Sequence, residues 1–374
     1  MLKVATIVGT RPEIIKMSRV IAAFDRYTNH VLIHTGQNYD YELNKIFFDD
    51  LDLRSPDYFL EAAGSNPAET IARVIERADT ALEEIQPDAL MLYGDTNSCL
   101  SIIAAKRRKI PVFHFEAGNR CFDQRVPEEL NRKVVDHLSD VNLVLSEHAR
   151  RYLLAEGLSA DRIFKTGSHM PEVLAHYQHK ISVSTVLDRL QVAPMEYFVV
   201  SVHREENVDS PERLNALMKT LERLSTEHNK PVLVSTHPRT AKRIEAIGSE
   251  CELEGVTFLR PFGFTDYIRL QLDSACVLSD SGTITEEAAL LGLTAINLRQ
   301  VHERPEGVDE GVTIQADIIP DRIMEAVRVA MAQTKAGFRP SSVNDYVHAG
   351  DVSAKALRLV LSYTDFINRF VWHK

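Results

Sequence analysis

The chain has 374 residues, 44% hydrophobic and 26% charged, and its 43 Lys and Arg against 53 Asp and Glu give a net charge of −10. At about 150 residues per domain this length points to two domains, each able to bury its own core, and the composition excludes a disordered, collagen-like or disulfide-built chain. The acidic balance argues against a dedicated nucleic-acid binder, which needs a basic face, but leaves room for one small anion held by a few Arg and Lys.

From the N-terminus, the run in MLKVATIVGTRP is too short for a secretory h-region and meets Arg11 and Pro12 instead of a cleavage site. No apolar stretch approaches the ~18 residues of a membrane span. The four cysteines, Cys99, Cys121, Cys251 and Cys276, are scattered singly, as in a reducing compartment. A cytoplasmic protein that uses no membrane is expected.

Short β-rich runs alternate with helical periods. Val4–Val8, Val31–His34, Ala89–Tyr93, Val112–Phe115 and Val141–Leu145 read as buried parallel strands. Between them Ile14, Met17, Ile21 and Phe24 recur at helical spacing, as do Ile71, Val74, Ile75, Ala78, Leu82 and Ile85. The pattern restarts with Tyr197–Val202, Val232–Ser235, Val256–Leu259, Ala275–Ser279 and Thr294–Leu298, with Glu212–His228 as an intervening helix. Gly167, Pro171 and Pro194 punctuate the stretch between the two series. Two Rossmann-like, doubly wound parallel-sheet domains facing a cleft are predicted, over 1–168 and 169–352. Ala354, Leu357, Val360 and Leu361 predict a packed helix within 353–374.

Ligands of open parallel sheets bind beyond the carboxyl ends of the strands, so the polar residues that follow strands are the candidates. GTRPEIIK follows the first strand: Gly9 permits a tight turn, Pro12 suits a first helical turn, and Arg11 and Lys16 can face a phosphate. In the second half SDSGTITEE offers Ser281, Gly282 and Thr283 at a helix N-terminus, although an ordinary N-cap would explain them taken alone. Two such turns favour a diphosphate ligand. Asp95 and Glu116 end strands beside Gly94 and Gly118, placed for acid/base work or sugar hydroxyls, and Glu128 lies in VPEELNR just beyond. Its neighbour Glu129 reads as a first-turn helix residue favoured by the dipole. His203, beside Arg204, suits a general acid or phosphate contact as well as an ordinary cap, and His237 is a weaker case. The chain lacks GxGxxG after the first strand, HExxH and GxSxG, so neither NAD nor a metal is expected.

GTRPEIIK, LYGDTNS, FEAGNR, PEELNR, VHRE, SDSGTITEEA and HERPEG occur in this order along almost the whole chain. The set resembles the non-hydrolysing UDP-N-acetylglucosamine 2-epimerase family. That resemblance implies a glycosyltransferase-B-like fold, with a UDP-linked N-acetylated amino sugar in the interdomain cleft, the C-terminal helix returned to the first domain, and a homodimer. It also implies roles: Asp95, Glu116 and Glu128 as acid/base carboxylates, with His203 assisting departure of the diphosphate. Arg11, Lys16, Arg132, Arg204, Tyr267, Ser281, Gly282, Thr283, Glu287 and Arg304 would bind the UDP-sugar. The family's DSGG is DSGT here, so Thr283 must reach the ligand differently.

GQNYDYELNKIFFDDL and EAGNRCFDQRVPEELNR, with Asn38 and Asn119 where the UDP-N-acetylglucosamine enzymes usually carry His and Leu, resemble one branch, the UDP-N-acetyl-L-fucosamine synthases. The expected substrate is therefore UDP-2-acetamido-2,6-dideoxy-L-talose, with UDP-N-acetylglucosamine second. The implied chemistry is elimination of UDP to a glycal and re-addition with inverted C2. It calls for a base, a proton donor on the other face, and a holder for the leaving diphosphate. Carboxylates with raised pKa would serve the proton transfers. A glycosyltransferase on the same fold would leave these carboxylates idle. Hydrolysing epimerases usually show GTRAD where Pro12 and Glu13 stand here.

Overall fold

The computed structural model describes residues 1–37, 48–236, 238–246, 253–338, 342–347 and 349–374. Asn38, His237 and Cys251 lie outside them. The chain divides into two compact units, Met1–His176 with Asn344–Lys374, and Tyr177–Val343.

The first unit is built on a seven-stranded parallel sheet ordered β3-β2-β1-β4-β5-β6-β7. Its strands are β1 (Lys3–Val8), β2 (Asn29–His34), β3 (Tyr58–Phe59), β4 (Ala89–Tyr93), β5 (Val112–Ala117), β6 (Val141–Val144) and β7 (Ile163–Lys165). β4 is buried at every position, as a central parallel strand covered on both faces must be. Ile7, Ile33, Leu82, Leu92, Ile102 and Val112 pack into one core beside it.

The second unit repeats the plan with six parallel strands ordered β10-β9-β8-β11-β12-β13: β8 (Phe198–Ser201), β9 (Val232–Ser235), β10 (Val256–Leu259), β11 (Cys276–Ser279), β12 (Ala295–Asn297) and β13 (Ile314–Gln315). Phe198, Val200, Leu217, Leu221, Leu278, Ile323 and Val327 form its core. All ten predicted strands are present. The three that sequence did not indicate, β3, β7 and β13, hold two or three residues each at or near a sheet edge, too short to show a period.

Helix α1 (Arg11–Tyr27) buries Ile14, Met17, Ile21 and Phe24, the predicted apolar stripe, and lies against α2 (Val352–Phe370) from the chain's end. The Glu172 carboxylate accepts the Ser353 N–H at 2.9 Å in the first turn of α2, supplying a partner that its N-cap lacks. At the far end Lys106 Nζ sits 4.5 Å from the Trp372 ring centroid.

In each sheet the order reverses once, between β1 and β4 and between β8 and β11. There the loops leaving adjacent strands turn in opposite directions and open a crevice at the carboxyl ends. Arg11 and Asp95 follow the first pair; His203, Arg204 and Ser281–Thr283 follow the second.

Candidate active site

In the first unit the turn after β1 is pinned to the turn after β4. A Cβ on Gly9 would collide with the hydroxyls of Ser98 and Thr35, so its role is close approach of the two turns. Glu13, in the first turn of α1, accepts Gly9 N–H at 2.6 Å and Thr10 N–H at 3.2 Å with one oxygen, and the Thr96 hydroxyl at 2.5 Å with the other. Thr96 follows Asp95, so one carboxyl spans both turns. Burial raises the Glu13 pKa from 4.5 to about 7, against these hydrogen bonds, and the Asp95 charge adds to the rise. Arg11 is half-buried at the start of the same helix.

Asp95 is held from below. Arg132 donates Nε to its Oδ2 at 2.8 Å and Nη1 to Glu129 Oε2 at 2.9 Å, and Asn131 Nδ2 donates to the Asp95 carbonyl at 2.9 Å. These three side chains come from helix α3 (Pro127–Leu138), which also carries the half-buried Glu128 in its first turn. Glu129, expected to be an ordinary first-turn residue, is fully buried and also accepts the N–H groups of Cys121 and Phe122, each at 3.1 Å.

Glu116 lies within β5 and not after it. The pairing with β6 skips a residue between Phe115 and Ala117, and Glu116 takes φ 64°. Such a bulge in a left-handed conformation re-aims one side chain at a cost of about 1–3 kcal/mol. The carboxylate thereby meets Lys16 Nζ at 3.5 Å and accepts Asn119 Nδ2 at 3.1 Å. It also lies over Gly94, 3.9 Å from where a Cβ would stand. Beneath the bulge His114 bridges the Gly94 carbonyl (2.7 Å) and Asp136 (3.0 Å), and Asp136 accepts Gly118 N–H and Arg120. Burial would raise the Asp136 pKa, yet His114 and Arg120 hold it below the usual range. Asp95, Glu116, Lys16 and Arg132 are thus gathered around the β4 and β5 ends.

In the second unit Asp280, fully buried after β11, organises the turn after β8. It accepts the N–H groups of His203 (3.1 Å) and Arg204 (2.9 Å) and Asn207 Nδ2 (3.0 Å), and His203 Nδ1 stands 3.1 Å from its Oδ1. Burial opposes its charge, but His203 and these donors hold its pKa down at about 2. Ser281 Oγ and Thr283 Oγ1 are 3.0 Å apart at the start of the helix Ile284–Leu291. A Cβ on Gly282 would strike the Glu303 carboxylate, which lies 2.7 Å from Arg299 and 3.7 Å from Arg204. Arg304 is buried with Glu286 at 3.3 Å, Glu287 accepts Gln271 Nε2 at 2.7 Å, and Tyr267 is half-buried in the helix Phe264–Leu272.

Sequence reasoning passed over Glu13, Asp280, Arg299 and Glu303. Glu13 had a local signal, the Thr-x-x-Glu of a capping box; Asp280 had none, because its partners lie in the turn after β8, and Arg299 and Glu303, though only four residues apart, meet Arg204 and Gly282 only in the fold. Among the described residues no three His, Cys, Asp or Glu side chains are grouped to hold a metal ion, and no helix is long and apolar enough to cross a membrane.

Comparison with known proteins shows the family and the fold. The family model described as UDP-N-acetylglucosamine 2-epimerase matches residues 22–361. The structure of UDP-N-acetylglucosamine 2-epimerase from Rickettsia bellii is 55% identical, covers 100% of both chains and gives a TM-score of 0.93. The Methanocaldococcus jannaschii UDP-GlcNAc 2-epimerase, solved with UDP-GlcNAc and UDP, is 30% identical over 97% of this chain and 100% of its own, with a TM-score of 0.89. MurG of Acinetobacter baumannii, 12% identical over 97% of this chain and 100% of its own with a TM-score of 0.54, shares the fold alone. The fold is glycosyltransferase-B-like, as predicted. The L-fucosamine branch expected from Asn38 and Asn119 is not supported: the 55% identical structure is of a UDP-N-acetylglucosamine 2-epimerase.

Proposed function

The chain belongs to the UDP-N-acetylglucosamine 2-epimerase family, and we propose that it interconverts UDP-N-acetylglucosamine and UDP-N-acetylmannosamine by inverting C2 of the sugar. The observation that carries this reading is that Asp95, just beyond β4, and Glu116, on the bulge of the neighbouring β5, each stand beside a buried cation, Arg132 and Lys16. Relatives named for UDP-N-acetylglucosamine support this substrate ahead of the 6-deoxy-L-talose derivative.

The C2 proton of an N-acetyl sugar is weakly acidic, so its removal is coupled to departure of UDP from C1. A carboxylate among Asp95, Glu116 and Glu128 takes the C2 proton as the C1–O bond breaks, giving UDP and 2-acetamidoglucal. A carboxylic acid then protonates C2 from the other face, and UDP returns to C1. Arg11 and Lys16, with Arg204, Arg304 and the Ser281–Thr283 turn, hold the anionic nucleotide, and His203 stabilises the charge that grows on the leaving diphosphate. Tyr267 and Glu287 contact the nucleoside in this reading.

Turnover of UDP-N-acetylglucosamine in D₂O, followed by NMR, tests it. Deuterium at C2 of UDP-N-acetylmannosamine is expected. Product without deuterium would overturn the elimination route, and turnover of the L-talose derivative alone would overturn the substrate. A glycosyltransferase would instead release UDP only when an acceptor is added.

A further inference from the structure

We propose that Asp280 is the positioning residue of His203: its carboxylate takes the Nδ1–H, fixes the ring and leaves Nε2 to serve the departing diphosphate. The inference rests on the role given to His203 above. Its basis is geometric. β8 and β11 are adjacent and in register, Ser201 opposite Ser279, so Asp280 and the His203 turn emerge side by side. The carboxylate is wholly buried. Its Oδ1 accepts the His203 backbone N–H at 3.1 Å and stands 3.1 Å from His203 Nδ1, so it grips both ends of the same residue. Oδ2 takes Arg204 N–H and Asn207 Nδ2. The Arg204 Nε donates at 3.0 Å to the Asp280 carbonyl.

A turn that needed only backbone acceptors could be served by a neutral side chain. A fully buried carboxylate is costly unless a cation accompanies it, and the imidazolium form of His203 supplies one at the ring nitrogen beside it. A carboxylate there accepts and cannot donate, so Nδ1 carries the proton in either form of the ring. As the C1–O bond breaks, its electron pair stays on the β-phosphate oxygen and the imidazolium Nε2–H donates to that oxygen. On re-addition the proton stays on or returns to Nε2. The arrangement is an orienting carboxylate, an imidazole and a reacting oxygen in line, reached here through two strand-end turns.

The test combines kinetics with a tautomer measurement. Asp280→Asn keeps the volume and one acceptor but presents an amide to Nδ1. It is expected to lower kcat about 10²-fold or more while KM stays within about 3-fold, the mark of an interaction made in the transition state. In the His203→Asn background the same change is expected to cost nothing further. Long-range ¹H–¹⁵N NMR of the wild-type enzyme, with His203 assigned by its loss in His203→Asn, should show Nδ1 protonated. This holds whether or not Asp280→Asn folds. An Nε2–H tautomer with bare Nδ1, or kcat losses that multiply in the double variant, would overturn the proposal. Unchanged kcat in Asp280→Asn beside an impaired His203→Asn overturns the positioning role alone. Full turnover by His203→Asn overturns the site reading with it.

Discussion

Glu116 Oε2 and Lys16 Nζ meet at 3.5 Å, a strand-end carboxylate on a left-handed bulge against an almost fully buried ammonium. A regular strand would not bring Glu116 there, because it would turn residue 116 with the ordinary pleat. Backbone strain of this kind persists where the surroundings over-determine it, and here the His114, Asp136 and Arg120 network does so. The isosteric Glu116→Gln is expected to lower turnover by about 10²–10⁴-fold, the range for loss of a general acid or base. Its melting temperature should stay within a few degrees of wild type. Steady-state rates and C2 deuterium incorporation check the first, thermal melts the second.

Glu129 supports Asp95 indirectly, through Arg132. Removing it in Glu129→Ala leaves a buried guanidinium short of a partner and two N–H groups, of Cys121 and Phe122, without their acceptor. A loss of about 3–5 kcal/mol in urea denaturation is expected, the cost of breaking a buried pair on one side. The adjacent Leu130→Ala, at an exposed position, should change stability by no more than about 0.5 kcal/mol.

Glu13 makes stability depend on pH. Its pKa is raised from 4.5 to about 7, so the fold favours the protonated form. The contribution is fully present below pH 4.5 and is lost as pH rises to about 7. At about 1.36 kcal/mol per unit, the whole effect is about 3 kcal/mol. Thermal melts at stepped pH should therefore show wild type losing stability relative to Glu13→Gln across that window, with a constant difference above it. Parallel curves would show that Glu13 does not titrate there.

Gly282 marks the closest approach in the second unit's turn. In Gly282→Ala the new methyl meets the Glu303 carboxylate, itself held between Arg299 and Arg204. Displacing that carboxylate moves both cations away from their present places. UDP affinity measured by calorimetry is expected to fall about 10-fold, or about 1.4 kcal/mol, with the fold intact by circular dichroism. Undiminished affinity would remove this turn from the nucleotide site.

Ten strands, the repeated β/α plan and the strand-end positions of Arg11, Asp95, His203 and Ser281 were legible in the sequence. Each rests on a local cause: an unbroken apolar run for a doubly covered strand, a helical period after it, a small or capping residue between. The partners of those residues were not legible. Glu129 reads as a surface helix residue until its helix brings it against Arg132 and the Cys121 turn, and Asp280 reads as part of a serine-rich turn until β11 pairs with β8. The bulge at Glu116 has no sequence mark either, since it depends on how β5 pairs with β6. Sequence by itself determined which residues stand at the two points where strand order reverses. Tertiary structure decided which buried carboxylates hold them there, because the burial of a charge and the identity of its partner are set only when distant strands and helices come together.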